Sequence, residues 1–566
     1  MYVKVFSRRK NNKIYYTAYL VKSVWDKKKN YSTQKIVKYF GSVTKEEGER
    51  LKLAYSNKIK TSQLIEAVSG ENVITCGLKY DIGDSYLISK IWDEWGIDDL
   101  IGKLSSKRFD TQVSKILKIL VLNRLLYPCS EHFIEKWYYD LAGGFKWLAP
   151  IDKGKLYYRR LYRYTKELNR IFPDLMKLLF KKLKRKIHKN VPLKYVYYDI
   201  TSTYFEGEKI CIIATYGYSR DKRSDKKQIV IALVTDEYGF PIYAEVLPGN
   251  TNDSTTICAI TKKLQKEFKL TRCVLIGDRG MISDDNFADI IANKMNYLMA
   301  LDKVHMKSAL KDKLEELNEM EDGEIKIIHE KKKYMYVEFN LEKKKAEKQI
   351  RDAMIKKVIH RLKFLKGKYE KRHKKYDTYE MIMYWLGKLN AKYPCSRFYA
   401  HTYNEKNKTL KFRILRKEIK LEEQWDGFIA LRSSIKDMIS EKSLELYKGL
   451  SKVENAFKRF KHVLDIRPVY HTEEPAIKGH VHTNVLAYLI ENYISFRLKS
   501  NLDIRTDIRT ILKELANIAV VEKKLNGEII DFEITECSDN NQKILDCFNL
   551  SIKKLEKEMG KTFFIS

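Results

Sequence analysis

The strongest constraint on the fold is the order of strand and helix patterns along residues 191–302. The segments LKYVYYD and CIIATYGY predict two strands, and QIVIALVTDEYGFPIYAEVLPGN predicts a hairpin that turns at Gly239. A helix beginning near Asp253, the short buried strand RCVLIG, a helix beginning near Ser283 and the strand NYLMALD follow. This order predicts a mixed sheet flanked by helices.

The charge of the chain favours a polyanionic partner. Lys and Arg number 109 against 74 Asp and Glu, which gives +35 over 566 residues, and nucleic acid is the commonest partner for such an excess. A membrane partner is disfavoured because the most apolar stretch, residues 113–128, is interrupted by Lys115, Lys118 and Arg124. No secretory signal pattern opens the chain, so we expect a cytoplasmic, nucleoid-associated protein. The cysteines form no C-x-x-C pair, which argues against a zinc ribbon or a disulfide framework.

The predicted sheet is close to that of the ribonuclease-H-like fold, so we predict a core of that type in an α/β chain, a multidomain α+β protein. The core pattern stops after residue 302 and resumes at 429, which indicates an insertion with a charged helix, alternating strands and a lysine-rich helical middle. The predicted segments are a β-hairpin unit (1–45), a helical DNA-binding module (46–190), the core (191–302 and 429–500), the insertion (303–428) and a C-terminal tail suited to dimerisation (501–566).

Two acidic residues come directly after strands that are predicted to be buried. Asp199 follows LKYVYY, and Asp278 follows RCVLIG. An ionised carboxylate is costly to bury unless it is paired or binds a metal. If the two strands are neighbours, both carboxylates emerge at one edge of the sheet, where their repulsion favours a divalent cation between them. Taken singly, each Asp also fits a capping or turn-forming role.

A third acidic residue lies in a helix predicted over residues 441–464. Its apolar residues form one stripe at helical spacing: Leu446, Val453, Phe457, Phe460 and Leu464. Tyr447, Glu454 and Lys461 follow one another at seven-residue steps, so they share a face beside that stripe. Packing of the stripe on the sheet would bring Glu454 toward the two Asp residues and turn Lys458 and Lys461 toward DNA phosphates. Taken alone, Glu454, Lys458 and Lys461 also fit a solvated helix face.

The sequence resembles the DDE transposases of bacterial insertion sequences, in the IS-four-like class with the signature Tyr-x2-Arg-x3-Glu-x6-Lys. Tyr447, Glu454 and Lys461 match that signature, whereas Leu450 stands where the signature has Arg, as in a branch of long-chain relatives. Further blocks over about 195–490 are similar to that branch: YYDITSTYF, GYSRDKRSDKKQIVIAL, FPIYAEVLPGNTND, IGDRGM and IRPVYHTEEPAIKGHVH.

The resemblance implies a ribonuclease-H-like catalytic core with a mainly β insertion between the second Asp and the Glu. It further implies that Asp199, Asp278 and Glu454 are catalytic and bind two Mg²⁺ ions, with Mn²⁺ as a substitute. It also implies a transposase that binds terminal inverted repeats through its N-terminal modules and carries out strand cleavage and strand transfer on double-stranded DNA. We expect a homodimer acting on paired ends. DNA contacts are predicted for six residues: Tyr447, Lys458, Lys461, Arg467, His471 and His480.

Several alternatives remain open at the level of sequence. The chain could be a ribonuclease-H-like nuclease that cuts without joining, or a DNA-binding protein that has lost catalysis. His471, His480 and His482 suggest zinc, but no Cys or carboxylate completes a site at the usual spacing. Trp425 fits core packing as well as stacking on an extruded base. The lysine-rich run at 356–376 fits either a solvated helix face or contacts to backbone phosphate.

Overall fold

The computed structural model describes residues 2–10, 13–26, 31–54, 74–106, 112–152, 154–206, 211–281, 283–330, 333–404, 407, 409–435, 440–525 and 528–563. The chain forms two compact units. The first comprises Met1–Glu94, Ser130–Tyr158 and Arg497–Ser566, and the second comprises Trp95–Cys129 and Arg159–Phe496. Within the described residues, no helix has the length and apolar character needed to span a bilayer.

The strands of the described residues are β1 (Tyr2–Lys10), β2 (Lys13–Asp26), β3 (Tyr31–Val43), β4 (Ile74–Asp81), β5 (Tyr195–Tyr204), β6 (Gln228–Asp236), β7 (Pro241–Pro248), β8 (Val274–Gly277), β9 (Asn296–Ala300), β10 (Ile325–Glu330), β11 (Lys333–Phe339), β12 (Tyr399–Asn404), β13 (Thr409–Ile414), β14 (Phe428–Ser433), β15 (Ala519–Leu525) and β16 (Glu528–Ile534).

The α-helices of the described residues are α1 (Lys45–Ala54), α2 (Gly83–Glu94), α3 (Ile97–Leu104), α4 (Val113–Leu126), α5 (Glu131–Lys136), α6 (Phe145–Leu148), α7 (Tyr158–Lys186), α8 (Ile257–Phe268), α9 (Asp284–Ala292), α10 (Lys303–Leu310), α11 (Leu314–Asn318), α12 (Leu341–Glu370), α13 (Tyr379–Lys392), α14 (Arg416–Glu423), α15 (Ser440–Lys448), α16 (Ser451–His462), α17 (Glu474–Leu502), α18 (Ile508–Leu515), α19 (Asp539–Cys547) and α20 (Ile552–Phe563).

The first unit contains two small antiparallel sheets. One has the order β1-β2-β3 and lies in the segment predicted to be a β-hairpin unit, residues 1–45. The other has the order β16-β15-β4, so strands from the C-terminal region pair with a strand near residue 80. Such a pairing joins segments more than 400 residues apart, which sequence periodicity does not reveal.

The second unit is built on an eight-stranded mixed sheet with the order β10-β11-β14-β9-β8-β5-β6-β7. Strands β5, β8 and β9 run parallel to one another, and β6 and β7 continue from β5 as antiparallel neighbours. Every residue of β6 is buried, as expected for a central strand covered on both faces. The predicted mixed α/β class with a ribonuclease-H-like sheet flanked by helices is confirmed.

Two details of the predicted fold are wrong. The segment CIIATYGY is not a strand, because only Thr215 forms a bridge, to Gln228, and the Gln228 side-chain amide donates to the carbonyls of Tyr218 and Gly249 at 3.0 and 2.9 Å. The apolar Ile212 is 90% exposed, so burial does not favour a strand there.

The insertion also contains more helix than the mainly β prediction allowed, since α12 has 30 residues and α13 has 14. Val358, Leu362, Leu365 and Tyr369 on α12 are buried at spacings of three and four. Their helical pattern is diluted by intervening lysines. Strands β10 and β11 of the insertion extend the main sheet, whereas β12 and β13 pair only with each other.

The core beneath α16 predicts a large loss of stability for Phe460→Ala. Phe460 is fully buried and meets Tyr488 edge-on at 5.6 Å between ring centroids. Removing the ring leaves a cavity, so we expect the free energy of unfolding to fall by roughly 3 to 5 kcal/mol. Urea unfolding followed by tryptophan fluorescence measures the loss. Phe460→Leu, which keeps most of the volume, should lose clearly less, and equal losses in the two variants would contradict this packing.

Candidate active site

Asp199 and Asp278 lie side by side because their strands are parallel neighbours. Strand β5 pairs with β8 in a register that sets Tyr198 opposite Gly277, and each Asp follows directly after one of these two residues. Both carboxylates therefore emerge from the sheet at the same level. The Oδ1 atom of Asp199 accepts a hydrogen bond of 2.7 Å from the backbone N–H of Ile200.

Glu454 is carried by α16, which packs its apolar face on this part of the sheet. The predicted stripe is confirmed, since all five of its residues are buried. The predicted single helix over 441–464 is wrong, because α15 ends at Lys448 and α16 begins at Ser451. The break contains Gly449, where a Cβ would lie 2.8 Å from Cζ of Tyr197, so only glycine lets the chain approach β5 this closely.

The pKa of Asp199 records the convergence of the three acids. This pKa is raised from 3.8 to about 7, chiefly by burial and against the hydrogen bond from Ile200 and the positive charge of Arg220. The negative charges of Asp278 and Glu454 both contribute to the rise. Glu454 on the helix is therefore close enough to Asp199 on the sheet to act on its charge.

Tyr447 belongs to the same cluster. Its hydroxyl donates a hydrogen bond of 3.2 Å to Oδ1 of Asp278. Burial raises the pKa of Tyr447, and the charge of Asp278 raises it further, so the phenol remains a neutral donor. Tyr447 thereby fixes one oxygen of Asp278, even though the break at Gly449 removes the continuous helix from which its position was predicted.

The donor set fits divalent magnesium or manganese. Three carboxylates offer the hard oxygen ligands that these ions prefer, and their mutual repulsion is relieved by a cation. The oxygens of Asp199, Asp278 and Glu454, all within the described chain, do not form a group lying within 4.8 Å of one another. A single ion could not contact all three without rotation of side chains.

The six residues predicted to contact DNA lie in different environments. Tyr447 binds Asp278, as described above. Lys461 Nζ and Arg467 Nη1 lie 2.8 and 2.6 Å from Oδ1 of Asp221, whose side chain is only 3% exposed. His471 and His480 are buried with ring centroids 5.2 Å apart. Lys458 is exposed on α16.

Sequence analysis missed two acidic residues that organise this region. Asp221 pairs with the two cations just described. Nη2 of Arg220 donates to both carboxylate oxygens of Asp253, at 2.8 and 2.7 Å. The signal available in the sequence was the alternation of charges in SRDKRSD, but no spacing rule connects that loop to a helix 240 residues later. The sequence predicted Asp253 at the start of a helix, but it did not indicate that Arg220 is its partner.

Packing decides two of the sequence alternatives. His482 stacks on Phe172 at 3.7 Å between ring centroids, and burial lowers its pKa to about 3, so it is a neutral core residue. Trp425 is buried in an apolar cluster of the insertion together with Phe339 and Phe428, which supports the core interpretation.

Comparison with known proteins gives one family match. Residues 192–490 match the family model described as the transposase DDE domain, and this range contains all three acids. No curated protein sequence matches the chain. Among solved structures, the chain is similar to the piggyBac transposase synaptic complex with hairpin DNA at 12% identity, covering 78% of this chain and 82% of that chain with a TM-score of 0.39.

A second solved structure is the Mos1 transposase paired-end complex with the left transposon end. The identity is 11%, the coverage is 34% of this chain and 59% of that chain, and the TM-score is 0.14. Neither likeness is close enough to argue from, so the family assignment rests on the match over residues 192–490.

The raised pKa of Asp199 predicts a pH-dependent stability of the metal-free protein. The folded chain keeps a proton that the unfolded chain releases, so stability falls as the pH rises from about 4 to about 7. Asp199→Asn removes this loss and should be more stable than wild type at pH 8 by roughly 1 to 4 kcal/mol. Urea unfolding in EDTA between pH 4 and 8 measures it. The exposed Asp285→Asn should follow the wild-type profile, and the same profile in Asp199→Asn would contradict the prediction.

The position of Asp221 predicts that its carboxylate is needed for stability. Asp221→Asn leaves Lys461 and Arg467 without their partner in a partly buried site, where breaking such a pair costs roughly 3 to 5 kcal/mol. The thermal unfolding midpoint checks this. Asp225→Asn, which breaks an exposed pair with Arg223 in the same loop, is the matched control and should leave the midpoint nearly unchanged. Equal effects in the two variants would count against a structural role for Asp221.

Proposed function

This chain belongs to the family of transposases with a DDE domain and is a DNA transposase, and from that premise we propose that Asp199, Asp278 and Glu454 carry its chemistry. The observation that supports the proposal is the shared strand level of Asp199 and Asp278, together with the influence of Glu454 on the pKa of Asp199. The reaction is cleavage of DNA at the transposon ends followed by transfer of the freed 3′-OH to target DNA.

The protein residues hold the acids in a defined arrangement. The carboxylate of Asp199 must lose its proton before it can serve as a ligand, and Arg220 favours that loss. Tyr447 orients Asp278 by donating to one of its oxygens, which leaves the other oxygen available. When bound by the three carboxylates, two Mg²⁺ ions, or Mn²⁺ in their place, supply the charge that activates the attacking oxygen and stabilises the leaving oxygen. The scaffold thus contributes positioning above all.

The finer class that we propose is the IS-four-like group of bacterial insertion sequences. It is supported by the spacing of Tyr447, Glu454 and Lys461. Leu450, which takes the place of the signature Arg, is buried in the break between α15 and α16. We propose that Lys461 and Arg467 act through Asp221 to fix α16, rather than as free DNA contacts, and that exposed Lys458 faces the phosphates.

The partners that we propose are the terminal inverted repeats and a second copy of the chain. The charge of +35 supports a polyanionic partner in general. The sheet β1-β2-β3 exposes Tyr15, Tyr39 and Phe6 among many lysines, which suits it to contact the ends. Action on two paired ends needs two active sites, so we propose a homodimer. A DNA substrate places the protein with the nucleoid in the cytoplasm.

A strand-transfer assay tests this function. Duplexes with pre-cut 3′-OH ends, taken from inverted repeats that flank the gene, are incubated with plasmid and Mg²⁺ or Mn²⁺, and joined products are measured on gels. We expect wild type to join them, and Asp199→Asn, Asp278→Asn and Glu454→Gln each to lower joining by at least about a hundredfold.

Glu445→Gln, which removes an exposed carboxylate from α15, is the control and should retain joining. Nicks without joined products would indicate a nuclease instead of a transposase. Unchanged joining in any of the three acid variants would remove that residue from the proposed site.

A further inference from the structure

A basic groove lies between the two long helices of the insertion. It has a volume of about 620 Å³ and is lined from both α12 and α13. The helices are held together by a shared apolar cluster that includes Leu362, Leu365 and Leu386. The groove therefore lies on a packed helical hairpin rather than on a loose surface loop.

Cations converge on this groove from both helices. Lys356, Lys357 and Arg361 line it from α12, and Lys388 and Lys392 line it from α13. Residues 357 and 361, like 388 and 392, are four apart, so each pair projects from one face of its helix. The four lysines are exposed. Within the insertion as described, none of the five forms an ion pair with a carboxylate of its own chain, in contrast to Lys366, which pairs with Glu370.

Aromatic rings beneath these cations hold them in place. The charges of Arg361 and Lys388 lie 5.2 and 5.0 Å from the ring centroid of Trp385. Tyr376 stacks on that ring at 5.4 Å between ring centroids. The Nε1–H of Trp385 donates to the carbonyl of Lys375. Trp385 is thus engaged by its own chain on several sides, which leaves little of the ring for stacking on a nucleic-acid base. The apolar floor strengthens the field of the cations above it.

We propose that this groove binds the phosphate backbone of duplex DNA, as a second DNA-binding surface apart from the three acids. The proposal rests on the action of the family on DNA and not on the identity of the catalytic residues. Five cations without acidic partners, spread over two helices, suit a row of phosphates better than a single anion. His360 and Tyr393 also line the groove, but the five cations outnumber them, so the contacts should be chiefly to phosphate and binding should be largely independent of sequence.

The groove is separated from the acids along α12. The pKa of Lys343, near the start of this helix, is lowered by burial and also by the charge of Arg279, which follows Asp278. Lys356 and Arg361 are 13 and 18 residues further on, which at 1.5 Å per residue is roughly 20 to 27 Å. Changes in the groove should therefore leave binding of metal by the acids intact.

Salt-dependent binding of the full chain to DNA tests the proposal. The probe is a fluorescent 30-base-pair duplex of arbitrary sequence, and anisotropy gives Kd between 50 and 200 mM NaCl. The test variant is Lys357→Glu with Lys388→Glu. We expect Kd at 100 mM to rise about tenfold or more, and the slope of log affinity against log salt to become shallower by about 2.

The control is Lys348→Glu with Lys363→Glu, which makes the same charge change at exposed positions of α12 outside the groove. It should lower affinity clearly less and leave the slope nearly unchanged. Equal effects of the two variants, or no effect of the test variant, would overturn the proposal. A larger loss on a single-stranded 30-mer than on the duplex would also overturn it, because that outcome indicates base stacking.

Two further measurements separate this proposal from the proposed function. Thermal stabilisation by Mn²⁺ should be the same in the test variant and in wild type, which also shows that the variant is folded. An Asp278→Asn variant should bind the 30-base-pair duplex with the wild-type salt slope. If wild type fails to join DNA while the salt slopes of duplex binding are as expected, the proposed catalytic function is wrong and the proposed DNA-binding groove is retained.

Discussion

The candidate active region depends on the energetic cost of placing a carboxylate within a buried strand. The sequence predicted Asp199 at the end of its strand, whereas β5 continues past it to Tyr204. The pKa of Asp199 is raised to about 7, with burial as the largest cause. Asp278 emerges beside Asp199 and Glu454 approaches from α16, so both negative charges make Asp199 harder to ionise. The fold tolerates this unfavourable cluster, which is typical of a site that binds a cation rather than of a site built for stability.

The positive charge of the chain serves two different purposes. Around the acids, Lys461, Arg467 and Arg220 are paired with Asp221 and Asp253, so they fix loops and helices instead of facing solvent. On the helical hairpin of the insertion, exposed cations are supported by aromatic rings and form no ion pair among the described contacts of that groove. A count of charges does not distinguish these cases, because the difference lies in whether an acidic residue is folded against each cation.

Much of the core was predictable because its signals are local. Runs of strand-forming residues marked β5, β6 and β7, and the apolar stripe from Leu446 to Leu464 marked the surface of the helix that packs on them. The errors arose where tertiary contacts override local pattern. CIIATYGY has strand propensity, yet only Thr215 bridges a strand, at Gln228. The carbonyl of Tyr218 accepts from the Gln228 side-chain amide, and the carbonyl of Ile213 accepts from the backbone N–H of Gly249. The helix around Glu454 is broken at Gly449, which lies too close to the ring of Tyr197 for a side chain.

The sequence by itself determined the class of fold, the three candidate acids and their order along the chain, because runs of strand-forming residues and the acidic residues beside them are local properties. Only the tertiary structure decided that Tyr447 binds Asp278, that Asp221 engages two predicted DNA contacts and that the insertion carries a basic groove between helices. Those relations depend on side chains from distant segments meeting in space, and the free energy of such meetings is set by burial and charge pairing in the folded chain.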